Sequence, residues 1–184
     1  MTRLFLLILV LLAPLTAAQA KDGYGAQLYT VRAAMADDVD ATLERVAAAG
    51  YTEVEFAGLF GAKAEAVRAS LKRLKLRAIA SHADWKRLRD EPDAMIAETK
   101  ALGAKYMVLA WLPPEERQTL AQWRWWIGHM NRVAAKARRQ GLRFAYHAHD
   151  FEYAAIAGVR PIDLLLADSD RRYVQFEIDI YWTV

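Results

Sequence analysis

The chain has 184 residues, 55% of them hydrophobic and 26% charged, with a formal net charge of +3 and no cysteine. That length supports one ordinary domain with a real core, and the absence of thiols excludes disulfides and thiolate chemistry. The small cationic surplus is interspersed, with Lys72, Arg73, Lys75 and Arg77 reading as the solvated side of a helix, so nucleic acid has no footprint.

The first twenty residues read as a leader. Arg3 precedes the apolar run Leu4 to Leu15, and Ala18-Gln19-Ala20 supplies a small-residue cleavage site. A dozen apolar residues are short for a spanning helix, which needs roughly 20. The expectation is a signal peptide over 1–20, an exported, periplasmic product over 21–184 and no stable membrane insertion.

Beyond the leader, strands and amphipathic helices alternate. The pattern predicts strands at 24–30, 53–57, 77–81, 105–111, 143–149 and 173–182, and helices at 38–49, 63–74, 92–102, 114–140 and 161–167. Gly50 is a C-cap candidate, Pro92 and Pro114 suit first turns, and Leu120, Trp123, Ile127, Met130 and Ala134 mark an inward stripe. A helix-end, turn, strand-start unit recurs at Ala49-Gly50-Tyr51, Leu102-Gly103-Ala104 and Gln140-Gly141-Leu142. Repeated βα units of this size give parallel strands with right-handed crossovers.

Polar residues at the strand ends decide between a doubly wound sheet and a barrel. Tyr29-Thr30, Glu55, Ser81-His82, Trp111, His147-Ala148-His149 and Asp179 all sit there, and no glycine-rich phosphate loop is present. The expected fold class is therefore α/β, of the (β/α)8 TIM-barrel type, here incomplete with about six parallel strands.

Two of those strand ends carry the chemistry. Glu152 and Asp179 are acids from neighbouring strands, the donor type that suits Mn2+, Mg2+ or Zn2+. Such an ion polarises a substrate oxygen and eases proton removal at the next carbon. His147 and His149, two apart on one strand, share a face and are candidates for hydrogen bonding, ligation or acid–base work. His82 and Glu55 are further pocket candidates, and Trp111 and Trp182 can wall a pocket. Trp123, Trp126 and His129 read as helix packing.

With these residues named, the chain resembles the sugar phosphate isomerase/epimerase family of xylose-isomerase-like TIM barrels. The resemblance runs from Tyr24 to Val184 and rests on Gly25 to Arg32, Val54 to Gly58, Leu102 to Tyr106, Tyr146 to Tyr153 and Phe176 to Trp182. It implies a divalent metal with Glu152 and Asp179 as ligands, catalytic roles for Glu152, His147 and His149, and substrate contacts from His82, Glu55, Trp111 and Trp182. The reaction it implies is isomerisation or epimerisation of a sugar, sugar phosphate or polyol through an enediol-type intermediate. Ala148 departs from the family pattern, which has Asn between the two histidines. The chain also ends after its sixth strand, which reads as the N-terminal portion of a longer gene product, with open edges that invite homo-oligomer formation. The alternative is a non-catalytic periplasmic sugar-binding or degraded barrel.

Overall fold

The structure is a computed structural model that describes residues 24–183. The leader expected at 1–20 lies outside the described residues. Among those described, no helix is long and apolar enough to cross a membrane.

Six strands form one parallel sheet in chain order: β1 (Gly25–Gln27), β2 (Glu53–Phe56), β3 (Arg77–His82), β4 (Tyr106–Leu109), β5 (Arg143–Ala148) and β6 (Val174–Ile178). The sheet curls into a half-barrel, as expected for an incomplete TIM barrel. Helices α1 (Arg32–Asp37) and α2 (Val39–Ala48) follow β1, and α3 (Ala64–Leu74) follows β2. Next come α4 (Trp85–Asp90) and α5 (Pro92–Leu102), then α6 (Leu120–Arg139), α7 (Pro161–Asp168) and the short α8 (Ile180–Thr183).

Local chemistry sets these boundaries. Gln27 ends β1 because its side chain accepts the Tyr29 N–H at 2.8 Å and opens a 3₁₀ turn. The helix expected from Pro114 starts later, at Leu120, where Thr119 and Gln122 form a reciprocal capping box. Pro114–Glu116 is a separate 3₁₀ turn. Asp179 stops β6 by accepting the Tyr181 N–H at 2.9 Å, so the expected strand to Trp182 becomes a strand and a helical turn. Gly103 closes α5 at φ 85°, in the left-handed region where a side chain is strained.

Alternation along the strands divides two cores. Phe144, Tyr146 and Ala148 point outward beneath α6 and α7, where Trp123, Trp126, Ile127 and Met130 are buried with them. Val54 and Phe56 do the same with Leu28, Leu43, Val67 and Leu71. The opposite parity lines the concave side, where small residues, Ala80, Val108, Ala110 and Ala145, form their own buried cluster. Burying both faces explains the near-continuous apolar strands. It also means that a polar residue of inward parity at a strand's C-terminal end faces the barrel interior.

Candidate functional site

Inward parity delivers a polar residue from each of several neighbouring strands. Gln27 pairs in register with Glu55, and His147 pairs with Glu177. His82 lies two residues beyond Ala80, the partner of Glu55, which makes it a diagonal neighbour of that acid. These residues open onto a cavity of about 1140 Å³ at the C-terminal end of the sheet. It is lined as well by Asp150 and Asp179, by Arg117, and by Tyr29, Trp111, Phe151 and Trp182.

Two histidine–carboxylate pairs form its floor. His82 Nε2 meets Glu55 Oε1 at 2.6 Å, and His147 Nδ1 is hydrogen-bonded to Glu177 Oε1. The second nitrogen of His147, Nε2, lies 3.7 Å from Asp179 Oδ2. Ligand atoms of His82, His147 and Glu177 all fall within 4.8 Å of one another, the grouping among the described residues suited to a metal ion.

Charge tunes this floor. Burial opposes the charged form of His147, yet its bond to Glu177 and the fields of Glu177, Asp179 and Glu55 raise its pKa. Burial likewise disfavours the Glu177 carboxylate, and the His147 bond outweighs it, so that pKa falls. His149 goes the other way. Its half-buried ring, 4.7 Å from His147 and flanked by Phe151 and Trp182 at 5.3 and 5.4 Å, has its pKa lowered to about 4 by burial and then by the His147 charge. His149 Nδ1 is buried with no hydrogen-bond partner among the described residues.

Glu152 stands apart from the cavity. It is fully buried; Tyr146 Oη donates to Oε1 at 2.5 Å and the His149 backbone N–H donates to Oε2 at 2.8 Å. Its main-chain carbonyl accepts the Ile162 N–H at 2.9 Å, tying the loop after β5 to α7. Burial raises its pKa despite those two donors. Both oxygens are thus engaged beneath the floor rather than presented to an ion, so this geometry does not carry the metal and catalytic expectations for Glu152. Its position sets the backbone that holds His149.

The structure places the other expected residues, Glu55, His82, Trp111, His147, His149, Asp179 and Trp182, around the one cavity. Sequence reasoning missed Glu177 as a site residue. Its signal was present: in Gln175-Phe176-Glu177-Ile178-Asp179 it shares the parity of Asp179. Arg117 was missed as well, and no periodic signal marks it. It reaches the cavity by stacking on Phe151 at 3.5 Å and donating Nε–H to the Leu112 carbonyl at 2.9 Å. His129, Trp123 and Trp126 are buried under α4 and the loop before α6, as their packing reading required.

No protein-family model matches the chain, and no curated protein matches it. Solved structures do. A sugar phosphate isomerase/epimerase from Parabacteroides distasonis superposes with a TM-score of 0.73 at 23% identity, over 91% of this chain and 68% of that one. The fold is that of the xylose isomerase-like TIM barrels. An L-ribulose 3-epimerase shares it (TM-score 0.65, 17% identity, 86% of this chain and 61% of that one). So does the IOLI protein solved with a bound zinc atom (0.64, 14%, 84% and 61%). AP endonuclease-like barrels share it too. The chain spans 61–68% of the length of the Parabacteroides, L-ribulose 3-epimerase and IOLI structures. Several of these neighbours are named as isomerases, epimerases or endonucleases, and two were solved with zinc or magnesium.

Proposed function

We propose that this barrel binds a divalent cation and isomerises or epimerises a sugar, sugar phosphate or polyol, as an exported, periplasmic protein. The observation that carries the reading is the convergence of His82, His147 and Glu177 within 4.8 Å, with Asp179 3.7 Å from His147. Two imidazoles and two carboxylates are donor types for Zn2+ or Mn2+. Bonds of about 2.1 Å bridge the 3.7 Å between His147 and Asp179, and the 4.8 Å grouping of His82, His147 and Glu177 would draw together slightly to hold such an ion. When bound, it would polarise a substrate hydroxyl or carbonyl and so acidify the neighbouring C–H.

The chain's own residues supply the rest. Glu55 holds the ring of His82, the outer support that fixes a ligating imidazole. Glu152, through the His149 N–H, fixes the backbone that presents the uncharged His149 ring to the cavity for hydrogen bonding. Trp111, Phe151 and Trp182 offer faces against which the apolar side of a sugar ring stacks.

Incubation with a panel of free and phosphorylated sugars and polyols in D2O, with Mn2+, Mg2+ or Zn2+ added, tests the reading by NMR. Deuterium uptake at a carbon beside a hydroxyl or carbonyl is expected with metal and not after His147→Ala. Metal-independent sugar binding without exchange would replace this reading by that of a non-catalytic sugar-binding protein.

A further inference from the structure

Among the described residues, the cavity is lined by the carboxylates of Glu55, Asp150, Glu177 and Asp179, by one arginine and by no lysine. That arginine, Arg117, is held from several sides. Its backbone N–H donates to the Pro114 carbonyl at 3.2 Å, and its carbonyl accepts the indole N–H of the buried Trp123 at 3.1 Å. Its Nε–H donates to the Leu112 carbonyl at 2.9 Å, and its guanidinium carbon lies 3.5 Å from the centre of the Phe151 ring. Phe151 in turn stacks on His149, with ring centroids 5.3 Å apart. The plane and direction of this half-buried side chain are therefore fixed before a ligand arrives.

These contacts use only Nε and one face of the guanidinium. Both terminal nitrogens, Nη1 and Nη2, lack a hydrogen-bond partner among the described residues, and no carboxylate there forms an ion pair with Arg117. Glu152 feels its field, yet both Glu152 oxygens are taken by the Tyr146 hydroxyl and the His149 N–H. Leu112 and Phe151 account for where the side chain sits. They do not account for a charge left unpaired in a cavity, and two free Nη groups in one plane form the fork that takes an oxyanion bidentately.

Two further features decide which oxyanion. Phosphate sites gather several N–H donors from helix N-termini or backbone nests. The start of α6, which follows Arg117, has none to spare: the Gln118 and Thr119 N–H groups both donate to Gln122 Oε1, at 2.8 and 3.0 Å, and the Gln122 N–H donates to Thr119 Oγ1 at 3.2 Å. The four cavity carboxylates also repel a dianion about twice as strongly as a monoanion. One fixed guanidinium suits one negative charge. We propose that, within the sugar-isomerising reading on which this rests, Arg117 holds the carboxylate of a sugar acid, a uronate or an aldonate.

The test is titration calorimetry of the full 184-residue chain with a hexose, its uronate, its aldonate and its terminal phosphate ester, in gluco and galacto configuration. Each titration is run with Mn2+ and again with a chelator. Charge-assisted bonds from a fixed fork should favour a sugar acid over the matching neutral hexose by roughly 10–100-fold in both conditions, and the preference should fall as salt is raised. Arg117→Gln, shown to be folded by circular dichroism, should bind sugar acid and hexose alike. Should that variant not fold, Arg117→Lys keeps the charge, lacks the fork and should lose most of the preference. Sugar acids bound no better than hexoses, tighter binding of the phosphate ester, or a preference that survives in the folded Arg117 variant would each overturn the proposal. A sugar-acid preference that persists in chelator, while metal binding and deuterium exchange both fail, would retain the role of Arg117 and remove only the isomerase reading.

Discussion

Replacing Glu152 separates a buried structural carboxylate from a metal ligand. Glu152→Ala leaves the Tyr146 hydroxyl and the His149 N–H without an acceptor in a region where Tyr146 is fully buried. A hydrogen bond to a charged group contributes about 1.5–3 kcal/mol, so losing two costs roughly 3–6 kcal/mol. Burial raises the pKa of Glu152, so its ionised form opposes folding at neutral pH, and deleting it recovers part of that cost. The net loss expected is about 2–4 kcal/mol, or roughly 5–15 °C in Tm for a chain of this size. Tyr146→Phe should lose less, about 1–2 kcal/mol, and the double variant should show coupling between the two positions. Metal affinity, read by competition with a fluorescent chelator, should stay within about threefold for folded Glu152→Ala, because losses of about 10–100-fold are typical only where the removed group is hydrogen-bonded to a metal ligand. A variant with unchanged Tm and abolished metal binding would refute this placement and return Glu152 to the metal site.

The converse holds for Glu177. Glu177→Ala should weaken divalent-ion binding at least about 100-fold in the same competition assay, while a wild-type affinity would remove this residue from the ligand set. Acid should destabilise the fold through His149: its folded pKa of about 4 lies below the ordinary value near 6.5, so the unfolded chain binds the extra proton. Its contribution is complete above pH 6.5 and is lost as pH falls toward 4, by about 1–2 kcal/mol after solvent screening, and His149→Phe should flatten that limb of a Tm-against-pH curve. Gly103→Ala places a Cβ 3.3 Å from Arg68 Nε at φ 85° and should cost about 1–2 kcal/mol in urea unfolding, whereas no loss would show that the turn relaxes freely.

The order of elements was legible in the chain because hydrophobic period and turn chemistry are local. Pro92 opening α5, Gly103 closing it and the alternation of β5 are each readable within a few residues. The same locality placed His82, His147 and Asp179 at strand ends, and barrel topology then brought those ends together. The short helices Arg32–Asp37 and Trp85–Asp90 escaped notice because six residues carry too little periodicity, and Asp84 caps the second with a single bond to the Arg87 N–H. Glu152 could not be placed from sequence. An acid three residues beyond a histidine pair looks like a ligand, and only the approach of the Tyr146 hydroxyl from the outward face of β5 shows that it is spent in the core. Glu177 was visible in parity but acquires meaning only from register, since its pairing with His147 lies thirty residues away in the chain. Sequence therefore determined which groups were available and on which face of which strand, through patterns that span one turn or one pleat. Tertiary structure decided which of them meet, because strand register and the curl of the sheet set distances between residues that no local pattern connects.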